Sequence, residues 1–115
     1  REEHSPRVFV PKVDFVSAAA TTPEVKRRGG PHALLTNMAL FDFDRSRGGF
    51  ALHSVHPGYS TADVRSQTGF DYLEPADVPA TPLPDAQTLA LLRGRIMNEL
   101  AETYPAFART MLQAA

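Results

Sequence analysis

The chain contains no cysteine. That absence excludes disulfide staples, thiolate nucleophiles and cysteine-based zinc sites. Long apolar runs are also missing, and a stretch such as Val16 to Ala20 is far too short to span a bilayer. The first residues, Arg1-Glu2-Glu3-His4, are charged where a secretory signal would need an apolar run, so no signal peptide is read. Neither sign of charge dominates: the formal net charge is −1, which gives no electrostatic reason to expect nucleic acid or an anionic membrane as partner. The expected location is a reducing cytoplasm. Arg1 is not an initiator methionine, which leaves processing, a chosen boundary or an upstream continuation as explanations.

What is present fits a globular chain. Apolar residues make up 43% of 115 residues, against disorder, and the length is that of one domain with a modest core. Residues 7–16 are β-branched and aromatic and alternate apolar with polar from Val10 onward except at Pro11, which predicts a strand, edged or broken at that proline. Ser17 to Gly30 reads as a loop. A strand is expected from Ala33 to Asp44, a turn over Arg45 to Gly49 and a returning strand from Phe50 to His56, together an antiparallel hairpin. Pro57-Gly58 turns the chain. Ser60 or Thr61 is a candidate cap for a helix reaching about Thr68, with Asp63 at the third position after Ser60 and Gly69 where a left-handed C-cap residue belongs. Phe70 to Leu73 reads as a brief strand and Pro75 to Pro84, with four prolines, as an irregular linker. Leu89, Leu92, Ile96 and Leu100 recur at helical spacing, Pro105 interrupts that helix, and Ala106 to Gln113 forms one more piece. The expected organisation is a single partial domain over 1–115: a strand-rich core (7–73), a proline-rich linker (74–84) and C-terminal helices (85–115).

Few residues carry visible chemistry. His53 and His56 stand three apart, and on a strand such positions face opposite ways, so a shared metal would need a bend and structural or surface roles are the expectation. Asp42 and Asp44 share a strand face and could bind a cation, but beside a turn aspartates usually hydrogen-bond backbone amides. Gly29-Gly30-Pro31-His32, preceded by Lys26-Arg27-Arg28, is the only stretch that suggests anion binding, since glycines let backbone amides approach a ligand. It matches neither a Walker A loop nor a dinucleotide fingerprint, and no Gly-x-Ser-x-Gly elbow occurs. No metal site is expected. Alone, these residues indicate a small α/β or α+β domain.

Three consecutive stretches add more. Gly29-Gly30-Pro31-His32 through Thr36-Asn37 to Phe41-Asp42-Phe43-Asp44, then Leu52-His53-Ser54-Val55-His56-Pro57-Gly58, then Thr61-Ala62-Asp63-Val64 through Thr68-Gly69-Phe70 follow one another in order. Together they resemble the corresponding segments of family I coenzyme A transferase β subunits, most of all the glutaconate CoA-transferase type with its CoA-ester hydrolase relatives. Val8-Phe9-Val10 with Val13 to Val16 resembles the strand before the family's glycine loop, and Val78 to Pro82 loosely follows its linker. The resemblance covers residues 7–95, about three quarters of the chain.

The resemblance implies an α/β fold: the C-terminal part of the open-sheet CoA-transferase superfamily fold, here with a β-hairpin and a C-terminal helix. It implies a segment of an enzyme in which a glutamate attacks an acyl-CoA thioester and CoA passes to a carboxylic acid through a glutamyl-CoA intermediate. Coenzyme A thioester is then substrate, and no covalently bound cofactor is expected. The family's glutamate lies in a Ser-Glu-Asn-Gly-like context, which none of Glu2, Glu3, Glu24, Glu74, Glu99 or Glu102 has, so no catalytic residue is assigned. Gly29, Gly30 and His32 are the substrate-binding candidates. The implied partners are complementary CoA transferase chains, an α subunit and the N-terminal part of β. Two alternatives stay open: a non-catalytic interaction module derived from the family, and part of a CoA-ester hydrolase. The tail 97–115 departs from the usual family ending.

Overall fold

The computed structural model describes residues 3–19 and 29–113, which fall into two compact units meeting in sequence between Thr81 and Pro82. The first unit is organised on an antiparallel sheet of β1 (Ala33–Leu35), β2 (Ala39–Asp44) and β3 (Gly49–Val55), in that order. The strand expected from Ala33 to Asp44 is therefore two strands. Thr36 makes the break: its hydroxyl oxygen accepts from the amides of Met38 at 3.1 Å and Ala39 at 3.0 Å, while its own amide donates to the Ala39 carbonyl at 3.0 Å. A local hydroxyl bond offers the backbone a turn in place of the ladder, a device that an apolar pattern across the segment conceals.

The β2–β3 hairpin forms as expected, with Phe43 opposite Phe50 and Asp44 opposite Gly49. Asp44 accepts from the Ser46 and Arg47 amides at 2.8 and 3.3 Å, and Gly48 takes φ of 68°, which only glycine adopts at no steric cost. A register shift between Leu40 and Phe41 puts Leu40 opposite Ser54 but Phe41 opposite Leu52, so His53 is the extra residue on β3. Its effect is to turn both Ser54 and Val55 inward.

The core gathers on Phe41. Its ring lies 5.2 Å from Tyr72, 6.2 Å from Phe70 and 6.5 Å from Phe50, and Leu52 and Val64 are fully buried with it. Each such side chain contributes roughly 1.5–3 kcal/mol on burial. Val64 comes from α1 (Thr61–Gln67), whose start carries a full capping box: Ser60 Oγ accepts from the Asp63 amide and Asp63 accepts from the Ser60 amide. Before it, Pro57 and Gly58 close a turn with Gly58 at φ of 94° and Tyr59 N donating to His56 O at 3.2 Å.

Two expectations around this core are corrected. Gly69 is not left-handed; Thr68, the C-cap, is extended, and Gly69 N donates to the Phe9 carbonyl at 2.7 Å. A Cβ on Gly69 would collide with that carbonyl oxygen, so close backbone approach, not helix termination, is what glycine permits there. Its partner Phe9 lies in residues 7–16, which form turns and bends instead of a strand: Val8 and Phe9 amides both donate to the Ser5 carbonyl at 2.9 Å. Phe9 then packs on His4 and Phe70, while Val13, Phe15 and Val16 are exposed.

Beyond the core, Phe70 to Leu73 makes a single parallel bridge, Leu73 to Ala51, in place of the expected strand. Further on, Ala80 bridges Val55, with Val55 N donating to Pro79 O at 3.0 Å and Thr81 N to Val55 O at 2.7 Å. Leu73 and the Pro79-Ala80-Thr81 stretch of the proline-rich segment thus lie along the free edge of β3 and shield it from further pairing. In the second unit, Asp85 caps α2 (Ala86–Leu91) by accepting from Thr88 N at 2.7 Å, and a π-helical turn at Leu92–Ile96, holding Gly94, joins it to α3 (Met97–Thr103). Pro105 opens α4 (Pro105–Gln113), the position where a missing N–H costs least. Leu89 and Leu100 are half-buried, but Leu92 and Ile96 are exposed.

Candidate functional site

Gly29, Gly30 and His32 lie together at the entrance to β1, and the two glycines are exposed. The His32 carbonyl accepts from Phe43 N at 2.9 Å, which fixes the backbone beside β2. A Cβ on Gly29 would meet nothing within 4 Å. The trio Lys26-Arg27-Arg28 lies outside the described residues. The glycine segment therefore presents an accessible backbone.

The neighbouring histidines lie apart, His53 at the β3 bulge and His56 just beyond the strand. His53 is exposed and its Nδ1 sits 2.6 Å from Asp42 Oδ2. His56 is half-buried and clasps two segments: Nε2–H donates to the Thr36 carbonyl at 3.0 Å, and Nδ1 meets Thr81 Oγ1 at 2.8 Å. Thr81 Oγ1 lies in turn 2.8 Å from Ser54 Oγ, which is buried. Because a carbonyl only accepts, His56 carries its proton on Nε2, and its Nδ1 accepts from Thr81 in the neutral ring. A hydroxyl beside an imidazole is the arrangement of a nucleophile and its base, but a working pair needs an open oxygen. Here Thr81 Oγ1 is held between Ser54 and His56, so the arrangement fastens the 80–81 segment to β3 and the β1–β2 turn.

His4 has a role that no sequence pattern announces. It is 6% exposed, and its Nδ1 and Nε2 lie 2.9 Å from Thr36 Oγ1 and Thr68 Oγ1. Burial pushes its pKa below the ordinary histidine value. Tyr72 is equally silent in the sequence: its hydroxyl is buried with no hydrogen-bond partner among the described residues, and burial raises its pKa. Arg65 Cζ stands 4.0 Å over the Tyr72 ring while its guanidinium holds Glu74 at 2.7 Å, the leading cause of its raised pKa. The signal for these roles is tertiary and has no local motif.

Among the described residues, two open clefts lie beside β3. One of about 310 Å³ is bounded by Asp44, Arg47, Phe50, Asp71 and Tyr72 among others, and Ser46 hydroxyl bonding first of all holds the Asp44 pKa low. The other, of about 290 Å³, lies between the Pro57-Gly58 turn with Tyr59 and the Val78-Pro79-Ala80 segment. Neither is lined by Gly29, Gly30 or His32. Among the described residues no group of three His, Asp or Glu could hold a metal ion, and no helix is long and apolar enough to cross a membrane. His56, Ser60 and Thr61 also line the second cleft, but the Ser60 hydroxyl is held by Asp63 in the α1 cap and both His56 nitrogens are engaged by Thr36 and Thr81.

Comparison with known proteins places these features. No protein-family model matches the chain. The chain is 32% identical over 96 residues to the cholesterol ring-cleaving hydrolase IpdB subunit of Rhodococcus jostii, a match of 79% of this chain and 38% of that one. The crystal structure of IpdAB from the same organism superposes with a TM-score of 0.70 at 32% identity, over 80% of this chain and 39% of that one. Glutaconate coenzyme A-transferase from Acidaminococcus fermentans gives a TM-score of 0.68 at 27% identity, over 80% and 38%. The decarboxylase AibA/AibB gives 0.59 at 33% identity, over 78% and 34%. The chain thus spans under two fifths of the length of the curated relatives it matches.

Proposed function

We propose that this chain, which belongs to the β-subunit lineage of family I coenzyme A transferases and corresponds to their C-terminal part, is a segment of an assembly acting on acyl-CoA thioesters. In this reading complementary chains, an α subunit and the N-terminal part of β, supply the catalytic glutamate and most of the CoA site in the cytoplasm. This chain completes the sheet and the subunit interface, and the exposed backbone at Gly29 and Gly30, with His32, lines the site. Transfer proceeds by attack of the partner's glutamate on the thioester carbonyl. The carbon–sulfur bond breaks to give an acyl-glutamyl anhydride and CoA thiolate, which attacks the glutamyl carbonyl, forming glutamyl-CoA and releasing the donor carboxylate. The acceptor carboxylate then attacks that thioester, and the freed thiolate attacks the acceptor's carbonyl in the new anhydride, giving the product CoA ester and regenerating the glutamate.

The observation that carries this reading is the superposition of four fifths of the chain on a glutaconate CoA-transferase and on IpdAB, with TM-scores of 0.68 and 0.70. A second reading, hydrolysis of a CoA ester, is favoured by one fact: the curated relative at 32% identity is named a hydrolase.

The test is reconstitution. The chain is co-expressed with complementary subunits and given acyl-CoA with and without a carboxylate acceptor. Transfer requires acceptor-dependent formation of a new CoA ester. Free CoA released at an acceptor-independent rate selects hydrolysis. Inertness of a correctly assembled complex toward every acyl-CoA supplied would leave only the interaction-module alternative.

A further inference from the structure

His4 is bound on both ring nitrogens by hydroxyls whose other partners dictate its state. Thr36 Oγ1 already accepts from two amides, Met38 and Ala39, so it has a proton to give and little capacity left to accept. The Ala39 carbonyl at 3.1 Å, which accepts the Thr36 amide on its other lone pair, and His4 Nδ1 at 2.9 Å share that proton. Thr68 Oγ1 donates to the Val64 carbonyl at 2.7 Å, so it accepts from His4. Nε2 therefore carries the proton and donates to Thr68, and Nδ1 of the neutral ring is left facing Thr36 as an acceptor. A second proton on Nδ1 would face an oxygen with both lone pairs engaged, inside aromatic walls formed by Phe9 and Phe41 with centroids 4.5 and 6.4 Å away.

No carboxylate among the described residues lies within ion-pair distance of His4 to offset that charge. On its own segment, Glu3 bonds Ser5 and Arg7 is exposed. On α1, Asp63 bonds Ser60 and Arg65 holds Glu74. On β2, Asp42 pairs with His53 and Asp44 bonds Ser46. The remaining titratable group, His56, reaches Thr36 from its carbonyl side with a donor. Both histidines thus depend on the one threonine.

We propose that His4 is a proton-operated latch: neutral, it holds residues 3–9 on the core, and protonation releases that segment from Thr36 and Thr68. Release also parts Phe9 from Phe70 and breaks the Gly69 N–H bond to the Phe9 carbonyl, so one proton opens a whole flap of aromatic core. The sign follows from linkage. Above the unfolded histidine value of about 6.5 the latched and released states are both neutral. As pH falls below it only the released state takes up the proton, so opening grows up to about tenfold per pH unit until the latched ring itself titrates.

The test is NMR on the whole chain. Long-range nitrogen–proton spectra near pH 7.5 should show His4 as the neutral Nε2–H tautomer. The Gly69 amide protection factor, corrected for intrinsic exchange, should drop by up to about tenfold per pH unit below 6.5 in the native chain and stay flat in His4→Gln. An equal drop in the variant would overturn the latch. If His4→Gln does not fold, the native titration decides alone: a protonated His4 with Phe9 and Gly69 signals unmoved contradicts the proposal.

Discussion

Gly69→Ala separates two explanations of one glycine by the sign of a stability change. If Gly69 served only as a helix terminator, its φ, which is not positive, would accept alanine. Reduced freedom of the unfolded chain would then stabilise the variant by about 0.4–1 kcal/mol. The structure points the other way, because the new Cβ collides with the Phe9 carbonyl oxygen and also sits 3.4 Å from Pro11 Cδ. A carbonyl in a hydrogen-bonded turn has no flexible end to swing aside. Relieving such overpacking costs about 1–3 kcal/mol, and loss of the Gly69 N–H bond to Phe9 adds about 1 kcal/mol. The expected destabilisation is roughly 2–4 kcal/mol, or a fall of roughly 10–25 °C in Tm for a unit of this size. Thermal and urea unfolding followed by circular dichroism measure it. Gly29→Ala is the control, since its Cβ meets open space and should leave Tm nearly unchanged. A Gly69→Ala chain as stable as the parent would refute the close-approach account.

Phe41→Ala removes the ring against which Phe50, Phe70 and Tyr72 pack and should cost about 3–5 kcal/mol, read as loss of cooperative unfolding or of soluble yield. Tyr72→Phe deletes a buried hydroxyl that has no partner among the described residues, so urea midpoints should hold or rise; a fall of more than about 1 kcal/mol would reveal a hidden bond. Ser60→Ala removes the α1 cap and should destabilise by about 0.5–2 kcal/mol. Asp63 has its pKa lowered chiefly by the Ser60 hydroxyl, so its contribution is present above the ordinary carboxylate value and lost as pH falls through the depressed one. Acid unfolding of Ser60→Ala should therefore depend less on pH below about 4 than that of the parent.

Features that rest on local chemistry were legible. The β2–β3 hairpin, the Pro57-Gly58 turn and the Ser60-Asp63 capping box each follow from residues within a few positions of one another. Features that rest on distant partners were not. Residues 7–16 carry a strand-like pattern, but Ser5 captures the Val8 and Phe9 amides and the segment folds into turns. Thr36 split an apolar stretch because its hydroxyl bonds forward to Met38 and Ala39. Gly69 looked like a helix end because its real neighbour, Phe9, is far away in sequence. His4 belongs to no motif, and nothing in the linker around Thr81 announces its partner; only folding brings His4 to Thr68 and Thr81 to His56. The glycine segment at 29–30 is singled out by resemblance, and the structure adds its exposed position at the mouth of β1.

If the chain works as one piece of a larger CoA-ester enzyme, it should be found bound to the other pieces, and native mass spectrometry of material purified from its own cells tests this most directly. The expected result is a stable assembly in which this 12.6 kDa chain is bound to complementary subunits. A lone species of 12.6 kDa, with no partner retained under gentle conditions, would contradict it.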